Sequence, residues 1–153
     1  MATSALPSFT SAVLTAFRNA SSLSSIRIFD GIEIDQSWPG DAIVVGTDGS
    51  MDGDDVIAGS ARQEYKQLGA ISKFEDGTLT CALWSANGAS DLTSRRTQAF
   101  VTLGNVETVI RSDVSFGGVV IYSGIDSHQM SYRQTNAGAA VVITFTLSYR
   151  AKI

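Results

Sequence analysis

The sequence predicts an α+β domain: a mostly antiparallel sheet with two helices packed on one face. Three observations predict it. Residues 139–150 alternate strictly, with Val141, Ile143, Phe145, Leu147 and Tyr149 on one side and Val142, Thr144, Thr146, Ser148 and Arg150 on the other, which is the period of a strand. Two stretches carry helical spacing instead. The elements follow one another as helix, strands, helix, strands, without the regular strand–helix alternation of a parallel sheet.

The first helix is read over residues 8–23, where Phe9, Val13, Ala16 and Phe17 share a face with Leu14 and Leu23 beside it. Pro7 suits its first turn, and the Ser-rich run 21–25 ends it, because the serine hydroxyl competes for the backbone. Residues 26–29 form a short strand stopped by Asp30-Gly31. Residues 32–39 read as irregular. Residues 42–45 are apolar on both sides and so predict a central strand covered on both faces.

A loop rich in Asp and Gly is expected over 47–60. Residues 62–71 read as an extended segment of mixed polarity, and 74–77 as a turn into a strand over 78–86. Asn87-Gly88 is a turn signal, and Ser90 or Asp91 can cap the next helix, 91–110. That helix presents Leu92, Ala99, Phe100, Leu103, Val106 and Ile110 on one face. Gly104 inside it costs about 1 kcal/mol against Ala and points to close packing with another backbone. Beyond Gly117-Gly118, residues 119–123 and 125–135 read as two strands, and 136–138 as the turn before the last one. Leu79, Leu83, Phe100 and Leu103 are the expected core.

At 153 residues the chain is one domain, covering residues 1–153. A chain of that length buries roughly 68–70% of its unfolded surface and needs neither metal nor disulfide to fold. Eleven basic and fifteen acidic residues leave a net charge of −4, which argues against gripping nucleic acid through its phosphates. Cys81, the one cysteine, reads as a buried, inert thiol. No apolar run has the roughly 18 residues of a membrane span, and no signal-peptide layout is present. The expectation is a soluble protein made in a cytoplasm.

No reaction centre emerges, so no enzyme and no cofactor is expected. Asp48, Asp52 and Asp54, with Ser50, are spaced as in a calcium loop, but the twelfth position, which needs a bidentate Glu, is Gly59; they are weak metal candidates, and a solvated loop is the plainer reading. His128 lies with Asp126, Ser127 and Ser131 on one extended segment, where neighbours point to opposite faces, so a triad is not formed. Glu33 with Asp35, and Glu75 with Asp76, read as loop solvation, and Arg95-Arg96 as a solvated helix face. The polar strands are more informative. Long polar strands left at a sheet edge invite pairing, so Arg62, Glu64, Tyr65 and Lys66, and separately His128, Gln129, Tyr132 and Arg133, are the expected subunit and partner contacts.

Several phrases carry a resemblance. They are the strand and turn Ile26-Arg27-Ile28-Phe29-Asp30-Gly31, the 41–46 strand before an Asp/Gly loop, Gly77-Thr78-Leu79-Thr80-Cys81-Ala82-Leu83-Trp84 before a long helix, and the terminal Phe145-Thr146-Leu147-Ser148-Tyr149-Arg150-Ala151. In layout the chain resembles the tail terminator proteins of long-tailed, siphovirus-type bacteriophages, those of actinobacteriophages in particular. The resemblance implies a sheet flanked by helices, assembled as a homohexameric ring in the virion at the head-proximal end of the tail. Such a ring caps the tail tube, ends its growth and offers a docking surface to the head-completion or connector protein. Its partners would be itself, the major tail tube protein and that connector, with DNA passing through the lumen without specific binding and no membrane involved. The Asp48–Asp55 loop would face the lumen or one ring end. Another head–tail joining or tail-tube protein, or a small calcium- or ligand-binding module, is the alternative.

Overall fold

A computed structural model describes residues 2–31, 40–49, 56–67, 69, 71–86, 91–135 and 138–153. Among them lie two helices, α1 (Leu6–Asn19) and α2 (Leu92–Ser112), and six strands: β1 (Arg27–Asp30), β2 (Ala42–Val45), β3 (Gly59–Tyr65), β4 (Lys73–Ala86), β5 (Tyr122–Thr135) and β6 (Gly138–Lys152). The strands make one sheet in the order β1-β2-β4-β6-β5, with β3 also paired to β4. Only β1 and β2 run parallel; the other pairs are antiparallel. The expected α+β class is the observed one.

β4 and β6 are the frame. They pair without interruption from Phe74↔Lys152 to Ala86↔Ala140. The alternation in β6 sends Val141, Ile143, Phe145, Leu147 and Tyr149 into the main core with Leu79, Cys81 and Leu83 of β4. Both helices close over that face: α1 with Phe9, Val13, Leu14 and Phe17, and α2 with Ala99, Leu103, Val106 and Ile110. Phe9 lies at the centre, edge-on to Phe116 at 5.4 Å and tilted against Tyr149 at 4.5 Å. Burying one such ring is worth about 1.5–3 kcal/mol of transfer free energy.

No helix among the described residues packs on the other face. The middle of that face on β4 and β6 carries Thr78, Thr80, Thr144, Thr146 and Ser148, each half-buried. It is apolar only near β1 and β2, where Phe29, Ala42 and Val44 cluster with Trp84. β2 is buried at all four positions, as its two-sided apolar run predicts.

β2 and β3 share one edge of β4 end to end. Val45 pairs with Cys81 and Gly59 with Leu79. Between them Thr80 bridges the gap: its carbonyl accepts from the N–H groups of Gly46 and Thr47, and its own N–H donates to the Ala58 carbonyl. The chain thus leaves the sheet after β2 and rejoins the same line at β3. Gly46 has φ +87°, and a Cβ there would lie 3.4 Å from that of Ala58.

Several expectations are corrected. The first helix ends at Asn19, and Ser21–Leu23 is a separate 3-10 turn. β3 stops at Tyr65, and Lys66, Gln67, Gly69 and Ile71 are not in a strand. Residues 74–77 do not turn; they lie inside β4, because Glu75 and Asp76 find partners on opposite faces of the sheet. Residues 119–121 precede β5, and the two expected strands are one, with a bulge at Asp126 where the register passes from Ile125↔Leu147 to Ser127↔Thr146. A bulge adds an unpaired residue and keeps the strand continuous. Phe100 is 40% exposed rather than core, and nothing lies within 4 Å of a Cβ placed on Gly104, so no backbone packs there. Asp91 caps α2 as expected, accepting from the N–H groups of Thr93 and Ser94; such a cap contributes about 1 kcal/mol. Residues 32–39, 87–90 and 136–137 lie outside the described residues.

Candidate functional site: two sheet edges and a buried carboxylate

β3 is exposed along its length past Gly59. Arg62, Glu64, Tyr65 and Lys66 are all exposed, with Tyr65 63% accessible. Alternation divides them. Arg62 and Glu64 lie opposite Asp76 and Phe74 on the open face; Tyr65 lies opposite Lys73, whose ammonium sits 5.2 Å from its ring. The Lys66 ammonium lies 5.7 Å from the Phe74 ring.

β5 is the opposite edge of the sheet. Here too the expected contact residues divide by face. His128 and Tyr132 pair with Phe145 and Val141 and share the helix face, whereas Gln129 and Arg133 pair with Thr144 and Ala140 on the open face. The His128 ring meets Phe100 edge-on at 6.0 Å. The Tyr132 hydroxyl accepts from Arg96 at 2.9 Å. Arg133 donates to the Gly49 carbonyl at 3.2 Å, which seats the start of the Asp-rich segment over the open face against Thr144. The two groups of expected contacts are therefore not brought together within one chain; β4 and β6 separate them. Each group lies on an edge whose outer backbone has no strand beside it among the described residues.

Arg95-Arg96 is not the solvated pair that was expected. The Arg95 side chain is only 15% exposed, 3.8 Å from the Asp41 carboxylate and 3.3 Å from the Ser85 hydroxyl. It joins the start of α2 to the ends of β2 and β4. Asp52 and Asp54 lie outside the described residues. Among the described residues no group of three or more His, Cys, Asp or Glu side chains is placed to hold a metal. Cys81 is buried, and burial pushes its thiol up to about 12, which leaves it unreactive as a nucleophile. No helix among the described residues is long and apolar enough to cross a membrane.

The most constrained polar group is one that reads from sequence as loop solvation. Glu75 is fully buried. One carboxylate oxygen accepts from the Ser4 hydroxyl at 2.9 Å, the Ala5 N–H at 2.9 Å and the Tyr149 hydroxyl at 2.7 Å. The other accepts from the Gln63 amide at 2.7 Å. Gln63 also donates to the Thr3 carbonyl at 2.6 Å and accepts from Lys73 at 3.1 Å. One carboxylate thus ties the N-terminal segment, edge strand β3 and central strand β6 together. The signal for it was present: Glu75 continues the buried odd face of Gly77, Leu79, Cys81 and Leu83 one step back. The adjacent Asp-Gly pair, a turn signature, masked it.

Burial alone raises the Glu75 carboxyl, but the hydrogen bonds from Tyr149, Gln63, Ser4 and the Ala5 N–H outweigh it and hold the group below the ordinary glutamate value. Tyr149 moves the other way, raised by burial and by its bond to Glu75. The signs set two pH limits. The lowered Glu75 value contributes stability above the unfolded glutamate pKa, lost as pH falls through the folded one. The raised Tyr149 value contributes stability below the unfolded tyrosine pKa, lost as pH rises beyond it. Chemical-denaturation midpoints across pH should fall at both ends, and the acid limb should flatten in Glu75→Gln. An unchanged acid limb in that variant would refute the assignment.

The chain matches no protein-family model and no curated protein.

Proposed function

We propose that this chain is a structural assembly protein whose copies join edge to edge into a closed ring, the ring acting as the tail terminator of a long-tailed bacteriophage. One observation carries the reading: beyond the short β1 edge, the sheet has two longer edge strands, β3 and β5, on opposite sides, with no strand beside either among the described residues. The two also run in opposite directions, since each step from β3 through β4 and β6 to β5 is antiparallel. A neighbour related by rotation about an axis along the strands keeps its strand directions. Its β3 then meets this chain's β5 antiparallel. That contact is heterologous, and repeated heterologous contacts close into a ring when the rotation divides the circle.

The chemistry of the edges supports this reading. β5 is regular for nine residues after its bulge, and β3 for seven. Exposed edges of that length pair with other chains unless something covers them. On this reading Arg62, Glu64, Tyr65 and Lys66 of one copy approach His128, Gln129, Tyr132 and Arg133 of the next. The Asp48–Asp55 loop then faces the lumen or one ring end. The net charge of −4 suits a passage through which DNA moves without being held. The tail tube and the head connector meet the two ring ends.

Native mass spectrometry with negative-stain imaging tests this. The expected result is a closed ring of about six copies, alone or on the ends of tail tubes. A strict monomer at high concentration with no affinity for tubes would sink the proposal. Long tubes of stacked rings would replace it with a tail-tube protein.

A further inference from the structure

The open face is not uniform. At the end where β3 finishes and β4 begins, it gathers Arg62, Lys66, Arg150 and Lys152, four of the eleven basic residues of a chain whose net charge is −4. The register builds the row. Arg62 lies opposite Asp76, Asp76 opposite Arg150, and Arg150 opposite Tyr122, while Phe74 lies opposite Lys152. Beside this row is a groove of about 360 Å³ whose polar lining is Ser60, Arg62, Asp76, Thr78, Tyr122 and Ser148; Arg62 and Asp76 are its charged members, and Lys66, Arg150 and Lys152 flank it.

The groups differ in how far they are committed. The Arg150 guanidinium stacks 4.8 Å from the Phe74 ring and lies 3.6 Å from Asp76. Asp76 therefore holds one cation in place. Arg62 and Lys152 are exposed, and neither has a hydrogen bond or ion pair among the described residues. Tyr122, 51% exposed, ends the row opposite Arg62, with the Asp76–Arg150 pair between them and the hydroxyls of Ser60, Thr78 and Ser148 in the row beside it. Two uncommitted cations, an open aromatic wall and a row of hydroxyl donors are the parts that recognise carboxylates on an extended chain.

We infer that this groove is a docking site for an acidic, carboxylate-bearing protein segment. The argument is charge complementarity. The local sum is two positive, four cations against Glu64 and Asp76, within a molecule that is negative overall. A short acidic segment feels that local field. A long polyanion such as DNA is repelled by the rest of the surface. Every residue of the groove belongs to one chain, but in the proposed ring Arg62 and Lys66 also lie at the seam with the next copy, so a docked segment and a neighbouring copy compete for them.

The test uses the full chain and a fluorescein-labelled octaglutamate peptide, read by fluorescence anisotropy at low salt. Arg62→Glu with Lys152→Glu should weaken binding by about tenfold or more, and added salt should weaken the parent complex. Arg18→Glu with Arg111→Glu makes the same change in net charge elsewhere and should cost less than about threefold. Equal losses in the two double variants, or no binding by the parent chain, would overturn the site. So would tighter binding of an oligothymidylate of equal length with the same residue dependence, which would make the groove a nucleic-acid contact. Should the reversal variant fail to fold, Arg62→Gln with Lys152→Gln removes the same two charges, and an unchanged affinity there would also overturn it.

Discussion

Glu75→Ala is expected to destabilise the fold by about 3 kcal/mol or more. The substitution removes the acceptor for four donors at once: the Ser4 hydroxyl, the Ala5 N–H, the Gln63 amide and the Tyr149 hydroxyl. A buried donor left without a partner costs about 1–3 kcal/mol. Some of that returns as the N-terminal segment loosens and water reaches Ser4 and Gln63. Tyr149 cannot follow, because it is 2% exposed and packed against Phe9. Urea denaturation gives the magnitude. Hydrogen exchange gives the place, with faster exchange expected in the first turn of α1 and in β3. A loss below about 1 kcal/mol, the worth of a single ordinary hydrogen bond, would show that the network is not a unit.

Gly77→Ala should be nearly as damaging, through the same tyrosine. Gly77 pairs across the sheet with Tyr149, and a Cβ at position 77 would overlap the Tyr149 ring and hydroxyl. The ring fills the space that a side chain on β4 would occupy, and from there its hydroxyl reaches Glu75. With an alanine at 77 the ring must swing away. It then gives up its bond to Glu75 and its place beside Phe9, an overpacking cost of about 2–3 kcal/mol. Because both substitutions act on Tyr149, the Glu75→Ala and Gly77→Ala double variant should lose clearly less than the sum of the two single losses. Additive losses would mean that Gly77 is constrained by something else.

The parts of the fold legible in the sequence are those where a single period dominates. β6 alternates for a dozen residues, and the faces it predicts are the faces found. α1 was placed by Phe9, Val13 and Phe17, and β2 by an apolar run too short for a helix. Where two signals overlapped, the local one misled. Glu75, Asp76 and Gly77 look like a turn one residue at a time, yet Glu75 and Gly77 continue the buried positions of the strand and only Asp76 faces outward. Phe100 fits the apolar stripe of α2 and still lies at the margin, because α2 packs over β4 and β6 and reaches β5 only at its rim. The edge residues were legible as edges from their polarity. Their division between two faces follows from plain alternation along β3 and along β5 after its bulge; what the sequence did not show is the bulge at Asp126, because a single-residue insertion leaves no mark in composition.

The collinear β2 and β3 also bear on how this chain can vary. Residues 46–58 leave and re-enter the sheet on either side of one peptide, with both feet fixed by Thr80. Neither the register of β4 nor the position of β3 depends on what lies between those feet. Loop closure costs only about 0.6 kcal/mol for each doubling of length, so this segment can lengthen, shorten or change its charge over generations while the strands stay in step. A surface that must match a changing partner is best carried on such an excursion, and the Asp-rich stretch of this chain sits on one.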